Sequence, residues 1–236
     1  MSTRPVHRSR LSEPALARVQ AVSGLAFASF LVLHLLTALA AVFGQRAYDG
    51  ALTLGRVYYQ ALPIELTVVL LSLVVHVAAS VTRARRRRRG RGSAERRRPH
   101  AGLRLHRVSA YFLLIFIFGH ITATRAPAIF ADVPIEFAFV HYSLVNLPAY
   151  FVPYYTLLFA AGAYHGLRGI WVALGVLGLP RPQAPRALTR DHATRAAAAL
   201  ALVGLLVVSA LAGVWYAVDT TNFPIYDALA ARVFGG

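Results

Sequence analysis

The chain has 236 residues, of which 57% are hydrophobic and only 14% are charged. This is far more apolar surface than a single soluble core needs, so the composition indicates an integral membrane protein. The sequence contains no cysteine, which excludes disulfides, cysteine-ligated iron–sulfur clusters and other thiolate-bound metals from this chain.

Five apolar segments are long enough to cross a bilayer as helices. In chain order they are residues 19–43, 64–81, 108–124, 154–177 and 196–218. The first is too long for the core of a signal peptide and no convincing cleavage site follows it, so we expect it in the mature protein. The sequence therefore predicts an all-α integral membrane protein. Its transmembrane domain covers residues 19–218, between an N-terminal segment, 1–18, and a C-terminal tail, 219–236.

The formal net charge of +16 lies mostly in short segments beside the spans. These segments precede the first span, join the second to the third in an arginine-rich loop, 83–104, and join the fourth to the fifth. The positive-inside rule places them, and the N-terminus, in the cytoplasm. The loop 126–153 and the C-terminal tail are then outside. We interpret the arginine run as a topogenic loop that could also dock an acidic partner. Nucleic-acid binding is disfavoured because no aromatic residues are interleaved with the arginines.

The nine histidines divide into two groups. Five lie in or beside loops, where we expect solvated or interfacial side chains: His7, His100, His106, His141 and His192. The other four lie one in each of the first four predicted spans: His34, His76, His120 and His165. A polar residue within a span indicates a function by default, although a histidine that bonds to a neighbouring helix is a common alternative. Four histidines, one per helix, require a common explanation.

The depth of these histidines differs between the spans. His34 and His120 each stand 16 residues beyond Arg18 and Arg104, at the inner ends of their spans, which is about 24 Å of helix. His76 lies only about 10 Å from the inner end of the second span. The sequence thus predicts an outer and an inner layer.

Diagonal helices of an up-down bundle bring these histidines face to face. We expect His34 to pair with His120 in the outer layer and His76 with His165 in the inner layer. The depth of His165 depends on where the fourth span ends. Each pair could hold one flat cofactor from both sides.

An internal repeat supports this pairing. An offset of 86 residues aligns His34 with His120, and an offset of 89 aligns His76 with His165, as in a helical hairpin used twice. A hydrogen-bonding residue stands eleven positions before each histidine: Ser23, Glu65, Ser109 and Tyr154. Eleven residues are almost three turns and about 16 Å of rise. The serines are therefore expected near the inner cofactor, unless they serve only helix packing, and Glu65 and Tyr154 near the outer one.

Haem b suits two facing histidines better than other metal groups do. Zinc normally takes four clustered ligands, and copper would find no sulfur ligand beyond Met1. Haem b needs one axial histidine on each face and a tall apolar slot, without a CxxCH motif. Arg168 at the inner edge and Arg125 at the outer edge could pair with haem propionates, although membrane anchoring explains them as well.

Five spans, four histidines at intervals of 42, 44 and 45 residues, and the segments SGLAFASFLVLH and YHGLRGIW resemble the di-haem cytochrome b anchor of succinate dehydrogenase and fumarate reductase complexes. The resemblance covers roughly residues 15–218. It implies that His76 and His165 bind the proximal haem, near the cytoplasm, and that His34 and His120 bind the distal haem. Four of the five helices would then surround two stacked haems.

The resemblance also implies partners and a substrate. A flavoprotein with FAD and an iron–sulfur protein would dock on the cytoplasmic side of a bacterial cytoplasmic membrane. A quinone, often menaquinone, would react near the distal haem, and this chain would carry no complete active site for succinate. Some fumarate-reducing members have a glutamate two residues before the fourth ligand, where this sequence has Ala163, which favours succinate oxidation.

Three residues are candidates for the quinone site: Glu65, which can exchange a proton, and Tyr154 and His141 as hydrogen-bond partners. Glu65 follows Pro63, so an interfacial carboxylate at a helix N-terminus is the alternative. Three other functions stay open: a fumarate reductase anchor, the cytochrome b anchor of a hydrogenase or another dehydrogenase, and a haem-free scaffold or transporter.

Overall fold

The computed structural model describes residues 11–90, 100–182 and 190–235. His7 and parts of both basic loops lie outside these ranges. Every regular element within them is helical. In chain order the elements are α1 (Glu13–Ala40), a 3₁₀ turn (Ala41–Phe43), α2 (Gln45–Tyr59), α3 (Leu62–Ile64), a π-helix (Glu65–Leu71), α4 (Ser72–Gly90), α5 (Ala101–Phe130), α6 (Phe137–Asn146), α7 (Pro148–Val176), α8 (Arg190–Leu211) and α9 (Phe223–Phe234).

Five helices of the described ranges are long and apolar enough to cross a membrane, which confirms the predicted multi-pass architecture. They are Glu13–Phe43, Glu65–Arg89, Ala101–Phe130, Pro148–Val176 and His192–Leu211. The first begins where the Ser12 side chain accepts a hydrogen bond from the backbone of Ala15, as N-capping serines do. The fifth ends at Leu211, earlier than predicted, because the chain turns at Gly213 with φ of +71°.

The spans pack closely at small residues on α7 and α8. Helix α1 contacts α4 and α7, and α7 also contacts α5 and α8. A Cβ added to Gly166 of α7 would meet Leu31 of α1 at 2.9 Å, and one added to Gly204 of α8 would meet the carbonyl oxygen of Thr156 at 3.0 Å. Glycines at such close helix contacts are typical of helix association in lipid. The contacts of α1 with α4 and α7, and of α7 with α5, place α1 opposite α5 and α4 opposite α7 in the bundle.

Three short helices, α2, α6 and α9, form a cap over the end of the bundle opposite the arginine-rich segments. The backbone N–H of Phe137 in α6 donates to Asp49 of α2 at 2.9 Å, and the hydroxyl of Tyr142 in α6 donates to Asp227 of α9 at 2.6 Å. Phe137 is fully buried. From the sequence we expect only loops and a tail in these segments, so the cap is a feature that only the structure shows.

The outer half of the second span is a π-helix, Glu65–Leu71, which the sequence analysis does not foresee. Within it the hydroxyl of Thr67 donates to the carbonyl of Pro63 at 2.6 Å. The eleven-residue relation between Glu65 and His76 assumes 3.6 residues per turn throughout. That assumption fails across the wider turns of a π-helix, so the shared face predicted for these two residues is wrong in detail.

Candidate functional site

The structure brings the four span histidines together in two pairs, each pair from opposite helices. In the pair nearer the basic end, the inner pair, the ring centres of His76 on α4 and His165 on α7 lie 6.3 Å apart with their planes at 89°. In the pair nearer the cap, the outer pair, the ring centres of His34 on α1 and His120 on α5 lie 5.9 Å apart with their planes at 68°. These are the partners that the sequence analysis expects.

Backbone carbonyls of neighbouring helices hold both inner rings. Nδ1 of His76 donates to the carbonyl oxygen of Gln20 at 3.0 Å, and Nδ1 of His165 donates to that of His106 at 3.4 Å. Gln20 and His106 are related by the same 86-residue offset as the outer histidines. Metal-binding histidines commonly use one nitrogen in this way, which leaves Nε2 for the metal.

Ser23 and Ser109 lie at the inner pair, where the sequence analysis places them, and both are buried. The hydroxyl of Ser23 donates to the carbonyls of Val19, at 2.7 Å, and Gln20, at 3.3 Å. The hydroxyl of Ser109 donates to the carbonyl of His106 at 3.0 Å. Each serine thus bonds within its own helix to a carbonyl that also receives an inner histidine. This arrangement supports the histidines indirectly.

His106, which we expect from the sequence to be solvated or interfacial, is half-buried and lies against the inner pair. Its ring stacks on that of His165, with centres 4.3 Å apart and planes only 3° from parallel. The signal that could have revealed it is the 86-residue repeat, which aligns it with Gln20. Arg168, one turn beyond His165, lies nearby against Gly102. A Cβ added to Gly102 would be 3.5 Å from Nη1 of Arg168.

Aromatic residues surround the outer pair in a repeated arrangement. The ring of Phe30 stacks on His34 at 5.6 Å and meets Tyr59 edge to face at 5.0 Å. Phe116, its repeat equivalent, meets Tyr154 edge to face at 5.8 Å. Tyr154 is therefore placed beside the outer layer, as expected. Tyr59 is an equivalent residue that the sequence analysis does not single out.

Glu65 and Arg125 form an ion pair between the π-helix and α5. Nε of Arg125 lies 2.8 Å from Oε1 of Glu65, and its Nη2 donates to Oε2 at 3.0 Å. Arg125 follows His120 by five residues, or about 7.5 Å of helix, so the pair stands between the outer histidines and the cap. Both side chains are largely covered, and pairing offsets the cost of placing either charge at this depth.

His141 lies within the cap rather than beside Glu65 and Tyr154. Its side chain is buried, Nδ1 donates to the carbonyl of Leu211 at 3.0 Å, and its ring contacts Phe223. The expectation of a solvated or interfacial side chain is therefore wrong for His141. Its observed contacts tie α6 to the end of α8.

The separations of the histidine rings are compatible with a metal held between them. Two imidazoles on opposite sides of one metal, with bonds of about 2 Å, have ring centres roughly 6 Å apart, and the observed separations are 6.3 and 5.9 Å. Within the described ranges, no cluster of three or more histidines and acids could hold a metal. A group that needs only two protein ligands, with the rest supplied by a macrocycle, fits this donor set.

Comparison with known protein families, with curated proteins and with solved structures gives no match to this chain. The function of the chain is therefore inferred from the geometry of the site and from the sequence motifs.

Proposed function

We propose that this chain is the membrane-anchor cytochrome b subunit of a succinate:quinone oxidoreductase and holds two b haems. His76 and His165 would bind the proximal haem, and His34 and His120 the distal one. The observation that carries the proposal is the facing of two histidine pairs at two depths, with ring separations of 6.3 and 5.9 Å.

Two such haems would relay single electrons between the two ends of the bundle. The protein holds the proximal ligands through the Gln20 and His106 carbonyls. At the distal ligands, Phe30 packs on His34. These apolar and backbone contacts help to fix the positions of the imidazoles.

The basic end is the proposed docking site for the iron–sulfur and flavoprotein subunits, which would carry the clusters and FAD. Helix α4 continues to Gly90, and its residues Arg85, Arg88 and Arg89 are exposed. Arg83, in contrast, binds Glu13 of α1 with an Nε to Oε1 distance of 2.9 Å. The exposed arginines suit an acidic partner, and their charge favours a cytoplasmic location for this end.

The quinone would react between the outer pair and the cap. Glu65 is the group that can accept or release a proton there, and Arg125 holds it in place. Tyr154 offers a hydroxyl on the opposite side, next to Phe116. The contacts of His141 support a structural role in the cap better than a role at the quinone. Ala163, a buried small residue of α7, supplies no second carboxyl, which favours succinate oxidation with menaquinone as acceptor over fumarate reduction.

The difference spectrum of the purified protein, reduced minus oxidised, tests the proposal. We expect a low-spin b-type signal from two haems. His76→Ala should remove the inner haem and leave the outer site loaded, and His34→Ala should do the reverse. A chain without haem would instead be a scaffold or transporter whose histidines bond across helices. Equal loss of both haems in a folded His76→Ala variant would contradict the pairing. Electron transfer from hydrogen or formate rather than succinate would identify the anchor of another enzyme.

A further inference from the structure

We propose that His106 is a third histidine of the inner haem site. Its ring fixes the plane of His165, and its Nδ1, together with Arg168, binds a carboxylate of the inner haem. This inference rests on the proposed function and assigns residues to one of its two sites.

The stacking geometry supports the proposed role of His106 in fixing the plane of the His165 ring. The two rings are parallel within 3° at 4.3 Å, so rotation of the His165 ring would collide with His106. The hydrogen bond from Nδ1 of His165 measures 3.4 Å, so it restrains its ring less than the 3.0 Å bond of His76 does. The stack is therefore the main restraint on the plane of His165. His76 needs no such partner, because its bond to Gln20 is 3.0 Å long and Gly24 lies against its ring.

Two unpaired side-chain nitrogens support the proposed contact with a haem carboxylate. Nδ1 of His106 and Nε of Arg168 are both buried, and neither has a hydrogen-bond partner in the part of the chain that the structure describes. Buried polar groups are nearly always paired. His106 lies beside Arg168, since a Cβ added to the next residue, Gly169, would be 4.0 Å from Cε1 of His106, so the two groups together indicate an acceptor supplied by a ligand. Arg168 is positively charged, which favours an anion with two oxygens.

The carboxylate of a haem held by His165 has this chemistry and a suitable position, since Arg168 stands one turn from that ligand. A phospholipid phosphate offers the same acceptor chemistry. We commit to the haem carboxylate because both nitrogens are buried within the protein beside the inner ligand His165, and the experiment separates the two sources.

Three variants separate the roles of ring and donor. His106→Phe keeps an aromatic face and removes the donor, His106→Leu removes both, and Arg168→Gln removes the guanidinium. Arg107→Gln, at an exposed neighbouring position, is the matched control. The holoprotein is examined by electron paramagnetic resonance, because the g-value anisotropy of a low-spin ferric haem depends on the angle between its axial imidazole planes. Resonance Raman spectroscopy reports the bending vibrations of the haem carboxylates.

We expect His106→Leu to change the g-value anisotropy of the inner haem, and His106→Phe to leave it close to that of the unmodified protein. The carboxylate vibrations should shift in all three variants and stay unchanged in Arg107→Gln. Unaltered anisotropy in His106→Leu would overturn the positioning role. Unaltered vibrations in both His106→Phe and Arg168→Gln would overturn the carboxylate contact, as a bound lipid phosphate would produce. Absence of haem from the unmodified protein would refute the proposed function itself, which is a different outcome.

Discussion

Substitution of Gly24 by alanine should weaken binding at the inner haem site selectively. Gly24 lies on α1, where its missing side chain makes room for the ring of His76. A Cβ at this position would lie 2.8 Å from Nδ1 and 2.9 Å from Cε1 of that ring. Ordinary contacts between such atoms are about 3.5–4.0 Å, so the ring must move by about 0.7 Å or more.

This displacement acts on the hydrogen bond that orients His76. The bond to the Gln20 carbonyl is 3.0 Å long, and a shift of about 0.7 Å away from α1 would take it beyond the length of an effective hydrogen bond. Overpacking of this kind costs about 1–3 kcal/mol. If the cost falls on the ligand position, the affinity for the inner haem falls roughly 5- to 150-fold. Alanine is a better helix former than glycine by about 1 kcal/mol, so unfolding of α1 would not explain the loss.

The haem content of each site in Gly24→Ala, resolved by a potentiometric titration of the difference spectrum, measures the effect. Gly119→Ala is the control beside an outer ligand, because nothing lies within 4 Å of the added Cβ. Gly166→Ala is a second control, since its Cβ would meet only the flexible end of Leu31, at 2.9 Å. A Gly24→Ala protein with a fully loaded inner site of unchanged affinity would refute the reasoning.

Three further predictions concern the other end of the bundle. Glu65→Gln should slow quinone reduction, measured by stopped-flow kinetics, while both haems remain, because it removes the proton-exchanging group. Arg125→Gln should lower the stability measured by thermal unfolding by about 1–2 kcal/mol, because it leaves the Glu65 carboxylate unpaired at this depth. Haem loss in Glu65→Gln would argue against the assignment of Glu65 to proton exchange with the quinone. The hydrogen bond to Asp227 raises the pKa of Tyr142, so its contribution to stability should be complete below the usual tyrosine pKa of about 10 and should decline as the pH rises through the raised pKa. Thermal unfolding measured against pH should show this alkaline decline in the unmodified protein but not in Tyr142→Phe, and identical profiles would count against the contact.

The spans and their order could be predicted because each depends on a continuous run of apolar residues. The cap could not, since Asp49, Tyr142 and Asp227 are common surface residues until α2, α6 and α9 meet. The π-helix at Glu65 was also hidden, because its residues are apolar and would suit an ordinary helix.

The candidate site, too, was predictable from the sequence only in part. The pairing of His76 with His165 and of His34 with His120 was predictable from depth and helix order. The position of His106 was not, because a histidine near a basic loop is usually solvated and only its contact with His165 shows otherwise.

The sequence by itself determined five spans, one histidine in each of the first four and the depth of three of these histidines, because apolar length and the fixed rise of a helix are local properties. Only the tertiary structure decided which side chains those histidines meet. It joined Glu65 to Arg125, buried His141 in the cap and laid His106 on His165. These contacts join distant helices, and their formation depends on the rotation and close approach of each helix, which no local pattern in the chain specifies.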